Sequence, residues 1–126
     1  MTVSSAIARR ASFEPSLEQA VAARCFVSRV VADAGHSELV ADVALAAGEL
    51  TANAAEHAHT PFQVSVRVDG CIRIEVADGN TDLPVVRDVD TYDERGRGMA
   101  LVELVSHRWG VDRTPTGKLV WAEISY

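Results

Sequence analysis

From residue 17 to residue 34, apolar side chains recur at Leu17, Val21, Ala22, Cys25, Phe26 and Val30. That three-to-four spacing predicts an amphipathic helix. Ser16 fits as its N-cap with Gln19 three residues on, and Gly35 as its stop. A second series, Leu39, Val43, Ala46, Ala47, Leu50, Ala54 and Ala58, predicts another helix, capped by Ser37 and ended before Thr60-Pro61. The period then changes from helical to alternating. Residues 63–68 and 71–77 alternate around Asp69-Gly70, which is a hairpin signal. Residues 8–14 read as an edge strand. Residues 78–98 predict no element, and a loop of that length in a small domain is usually functional or mobile. Met99, Leu101, Val102 and Val105 predict a helix over 99–106. Residues 109–112 and 118–125 predict a closing antiparallel pair. The order helix, helix, hairpin, loop, helix, hairpin implies an α+β fold. Its form would be a two-layer α/β sandwich, a mixed, mainly antiparallel sheet with helices on one face.

Composition narrows the class. The chain has 126 residues, enough for one domain and too few for two good cores. It is 48% hydrophobic and 24% charged, ordinary for a folded protein and unlike a disordered one. A net charge of −6 disfavours nucleic acid as a partner. No apolar run approaches the roughly 18–20 residues of a membrane span. Arg9 and Arg10 near the N-terminus are not followed by the apolar stretch of a secretory leader. Cys25 and Cys71, set among apolar neighbours, are read as buried free thiols of a reducing cytoplasm. Trp109 and Trp121 are read as core.

Three short segments could carry chemistry. Glu49 and Asn53 are four apart on the second helix and so share a face. An amide oxygen suits Mg2+, a hard cation, and a carboxylate one turn earlier can take a proton from a hydroxyl. The same pair also suits a solvated face. Asp78 leaves a strand into a glycine-containing loop, where it can accept a bond from a ligand amine or close an Asx turn. Gly96-Arg97-Gly98 precedes the third helix. Glycines there let a ligand approach the backbone, the helix start attracts phosphate, and Arg97 can add a charged contact; a plain turn is the other reading. His57 and His59 lack the third ligand that a zinc site needs.

In this order the segments resemble the GHKL, or Bergerat-fold, ATPases, which include gyrase-like ATPases, histidine kinases and small anti-sigma-factor serine/threonine kinases. Glu49-Leu-Thr-Ala-Asn53-Ala-Ala-Glu-His57 is similar to the N box, Val76-Ala-Asp78-Gly-Asn80 to the G1 box, and Gly96-Arg-Gly98-Met99-Ala-Leu101-Val102 to the G2 box. The close of the chain, from Trp109-Gly110 to Gly117-Lys118-Leu119-Val120-Trp121, resembles that of small actinobacterial members. The resemblance implies ATP and Mg2+ as cofactors. Asn53 would hold the Mg2+, Glu49 would be the general base, and Asp78 would accept from the adenine amine. Residues 81–98 would form an ATP lid, with Gly96, Arg97, Gly98 and Met99 bordering the nucleotide. It further implies a cytoplasmic kinase acting on an anti-anti-sigma protein and sequestering a sigma factor, with a homodimer compatible with its size. The alternative is a regulatory module that sequesters without transferring phosphate. Two positions depart from the family pattern. Asn80 stands where the G1 box has glycine, and Gly117-Lys118 stands where many members have Gly-Thr.

Overall fold

The computed structural model describes residues 6–57, 59–80 and 94–126. Five strands, β1 (Ile7–Phe13), β2 (Phe62–Val68), β3 (Cys71–Asp78), β4 (Arg108–Thr114) and β5 (Gly117–Ser125), form one sheet in the order β1-β2-β3-β5-β4. Every pairing in it is antiparallel. Helices α1 (Leu17–Asp33), α2 (Val40–His57) and α3 (Glu94–Val105) pack on one face, giving the expected α+β sandwich. Among the described residues no helix is long and apolar enough to cross a membrane.

Alternation along the strands produces the core. Phe62, Val64, Val66 and Val68 of β2, Ile72, Ile74 and Val76 of β3, and Val120, Ala122 and Ile124 of β5 are all buried. Side chains two apart share a face, so these residues meet the helices while their neighbours face away. Phe13 stacks on Phe62 at 5.7 Å and lies 6.1 Å from Phe26, which fastens edge strand β1 to α1. Gly70, at φ +77°, turns the chain between β2 and β3, as the Asp-Gly pair predicts.

Helix α1 starts on Ser16, whose Oγ accepts from the Gln19 N–H at 3.1 Å. It stops in a Schellman arrangement: His36 N–H donates to the Val31 carbonyl, and Gly35 N–H to the Ala32 carbonyl. Gly35 sits at φ +92°, where an L side chain is strained. The expected buried face of α1 needs correction. Ala20, Ala23, Val27 and Val31 are buried, whereas Leu17, Val21 and Cys25 are exposed. At Ala20 the two helices come close, with the Thr51 hydroxyl of α2 3.3 Å from the Ala20 carbonyl, and a small side chain suits that approach. Cys25 and Cys71 are both free thiols, but neither is fully buried.

Other boundaries differ as well. Ser37 does not cap α2; it begins a single 3-10 turn, Ser37–Leu39, that leads into the helix. Helix α3 begins at Glu94, so the backbone of Gly96-Arg97-Gly98 belongs to its first turns rather than to a loop before it. Apolar spacing has nothing to register there until Met99. Residues 81–93 of the expected lid lie outside the described residues. Trp121 is not a core residue: it lies on the sheet face away from the helices, with the Arg73 guanidinium 4.3 Å from its ring centre. Trp109 is partly buried against the core.

Candidate functional site

The site residues take their positions from α2 and from the ends of β3 and β5. Thr51 fixes the roll of α2. It is fully buried, and its hydroxyl donates to the Ala47 carbonyl at 2.7 Å, with the Ala20 carbonyl of α1 at 3.3 Å. An α-helix advances about 100° per residue, so a Thr51 turned toward α1 puts Glu49 and Asn53 together on a different face. Both are half-buried. Glu56, seven residues after Glu49, falls on the same line and is exposed. Burial, and then the charge of Glu56, push the Glu49 carboxyl above its ordinary value of 4.5. A carboxylate with raised proton affinity is a stronger base, which suits the expected role.

Asp78 ends β3 with its side chain only 1% exposed. Its Oδ1 accepts from the Asn80 backbone N–H at 2.8 Å, so the Asx turn is present. The same oxygen accepts from the Lys118 Nζ at 3.1 Å, and Lys118 is itself buried. Lys118 Nζ also reaches the Asn80 carbonyl at 3.5 Å. The pair is imposed by register, since Asp78 lies directly across from Lys118 in the β3–β5 ladder. Gly117 permits that closeness. A Cβ there would stand 1.9 Å from the Asp78 carbonyl oxygen, so only glycine fits. The following loop is tied back to the segment after α2, because the Gly79 N–H donates to Thr60 Oγ1 at 3.0 Å.

Sequence reasoning did not find Lys118 as the partner of Asp78. The signal was in the alternation: Lys118 has the same parity as Val120, Ala122 and Ile124, so it points to the helix side. Met99 is buried in the core at 2% exposure. Gly96, Arg97 and Gly98 are placed by their backbone at the N-terminal end of α3, which packs on α2. A cavity of about 310 Å³ adjoins Asp78, Gly79 and Thr60 at the end of the sheet. Another of about 240 Å³ lies over the face without helices, beside Arg10, Arg67 and Arg73. Neither is lined by Glu49 or Asn53.

The residues present fit a nucleotide with a magnesium ion in one respect. Among the described residues no three His, Cys, Asp or Glu side chains cluster as a metal site. A metal here would therefore draw most of its ligands from phosphates and water, as Mg2+ commonly does, with Asn53 as an oxygen donor. Comparison with known proteins agrees with the fold. The family described as the histidine kinase-like ATPase domain matches residues 13–124, nearly the whole chain. No curated protein matches it.

Proposed function

This chain belongs to the histidine kinase-like ATPase domain family, and from that premise we propose that it is a protein serine/threonine kinase. ATP binding comes with the family. The finer reading is that the chain phosphorylates a Ser or Thr of an anti-anti-sigma protein and holds a sigma factor inactive, in the cytoplasm. The observation that carries a transfer function is the Glu49 carboxyl, held above its ordinary value on the same α2 face as Asn53.

In this reading Asp78 accepts a hydrogen bond from the base amine and orients the nucleotide. Asn53 would hold a Mg2+ ion through its amide oxygen, and the ion would supply positive charge beside the phosphates. Glu49 takes the proton of the acceptor hydroxyl as its oxygen bonds to the terminal phosphorus and the bond to ADP breaks. The chain forms no covalent intermediate, so catalysis rests on positioning and charge. The second reading, sequestration without transfer, is favoured by Asn80 where the family carries glycine.

Two variants separate the readings. A base acts on the transition state and adds little to ground-state binding. Glu49→Ala is expected to leave ATP affinity within a few-fold while lowering phosphotransfer by about 10²–10⁴. Asn53→Ala is expected to weaken both. Wild-type protein that binds ATP yet phosphorylates no serine-bearing partner would favour sequestration.

A further inference from the structure

The chain carries a net charge of −6, yet one part of its surface is strongly basic. On the sheet face away from the helices, Arg10 of β1, Arg67 of β2 and Arg73 of β3 border a cavity of about 240 Å³. Strand alternation puts them there: Val64 and Val66 face the helices, so Ser65 and Arg67 face away. Register then groups them. Arg67 lies directly across from Arg73, and Arg10 directly across from Ser65. Arg10 and Arg67 are therefore diagonal neighbours, a separation of roughly 7–8 Å that long side chains can span. Arg73 is matched, held by Glu75 at 2.7 Å and by Glu123 at 2.8 Å. Arg10 and Arg67 are exposed, and among the described residues neither guanidinium has an ion-pair or hydrogen-bond partner. Glu75 also borders the cavity, but its carboxylate already serves Arg73. Like charges directly opposite in a ladder are unfavourable, so Arg67 across from Arg73 costs stability that an anion between them restores.

We propose that this cavity is a binding site for a phosphate monoester, held by Arg10 and Arg67 with the Ser65 hydroxyl as a further donor. Charge selects a dianion. Two unmatched guanidinium groups balance the roughly −1.5 to −2 of a phosphate monoester at pH 7, whereas one carboxylate leaves a guanidinium unmatched. Shape selects the same ligand. Phosphate oxygens point in several directions, so donors from two strands can converge on them, and the guanidinium fork fits phosphate with two parallel bonds. The same chemistry is offered by a free phosphorylated metabolite and by a phosphorylated side chain of a protein. The site lies across the sheet from α2, apart from Glu49 and Asn53, and does not depend on nucleotide binding.

The test is an amide NMR titration of the full, isotope-labelled chain with inorganic phosphate at pH 7, with chloride holding the ionic strength constant so that screening does not change. Saturable shifts centred on residues 8–10, 65–67 and 73–75 are expected. Acetate is expected to bind about tenfold or more weakly, the effect of losing one charge-assisted contact. The double variant Arg10→Gln/Arg67→Gln is expected to lose about tenfold or more in phosphate affinity on the same grounds, with ATP affinity unchanged. No saturable shift at these residues overturns the proposal, as does undiminished phosphate binding in the folded double variant. Acetate binding as tightly as phosphate also overturns it and points instead to an acidic peptide. If the double variant does not fold, the wild-type ratio of phosphate to acetate decides alone, tenfold for and parity against. A phosphoserine peptide titrated beside glycerol phosphate then separates the two sources. Tighter binding of the peptide assigns the site to a phosphorylated protein, and equal binding assigns it to a free phosphorylated molecule; both support the site.

Discussion

At the scale of single residues, the chemistry depends on how few groups shift a proton affinity. Glu49 is raised by burial first and by Glu56 second. A general base works only when deprotonated, so phosphotransfer should fall as pH drops through that raised value. The acid limb of the rate profile is expected above pH 4.5, the ordinary carboxyl value. Glu56→Gln removes the second cause and should move the limb toward lower pH. Single-turnover rates of both proteins between pH 4 and 8 would check this, and identical limbs would remove Glu56 as a cause. The roles of these residues were unevenly legible in the sequence. Glu49 and Asn53 could be paired because helical spacing is a local property. Lys118 could not be paired with Asp78 that way, because their contact arises from the register of two strands 40 residues apart. Thr51, hidden between Glu49 and Asn53, shows its purpose only when α1 is placed beside it.

At the scale of elements, alternation and turn chemistry marked the hairpins well, because a period of two and an Asp-Gly pair are both short-range signals. Helix faces were harder. On α1 the larger apolar residues Leu17 and Val21 drew attention, but they are 59% and 52% exposed. The face turned inward is Ala20, Ala23, Val27 and Val31 instead, and hydrophobicity alone does not encode how closely two helices approach. The start of α3 was hidden for the opposite reason: its first turns hold two glycines and no apolar residue. The β3–β5 contact shows an element pair controlled by one position. Gly117→Ala puts a methyl against the Asp78 backbone, where a Cβ would be 1.9 Å away. Backbone cannot yield as a flexible side chain can, so β5 has to shift and the Asp78–Lys118 pair with it. Overpacking of this kind costs about 1–3 kcal/mol. Thermal unfolding should show Tm lowered by about 4–12 °C, and ATP affinity should fall in the same variant. A Tm within a degree of wild type would mean the strands separate at little cost.

At the scale of the whole molecule, the sheet has two unlike faces. The helix side is apolar and ends at the Asp78–Lys118 pair. The other side is joined across three strands by charge. Glu75 accepts from Arg73 Nε at 2.7 Å, and Glu123 accepts from Arg73 Nη1 at 2.8 Å and from Arg108 at 2.6 and 2.9 Å. Trp121 lies among these groups, flat against Gly110, where a Cβ would meet its ring at 2.7 Å. Glu123 is the centre of the network and only 7% exposed. Hydrogen bonds from Arg108 and then Arg73 hold its carboxyl below the ordinary value of 4.5, against the opposing effect of burial. The folded state therefore binds this proton less readily than the unfolded chain. The resulting stability is complete above about pH 4.5 and is lost as pH falls through the lower folded value. Glu49 acts in the opposite sense: its contribution is complete below the ordinary value and is lost as pH rises through its raised one. Glu123→Gln keeps the shape of the side chain and removes the charge. Bonds to a charged group are worth about 1.5–3 kcal/mol, and the exposure of Arg108 places its share at the low end. The variant should be less stable than wild type at pH 7, and the gap should narrow steadily below pH 4.5. Urea unfolding at pH 7, 5, 4 and 3 measures that gap directly. A gap that stays constant down to pH 3 would mean that the arginines stabilise the sheet through packing on Trp121 rather than through the Glu123 charge.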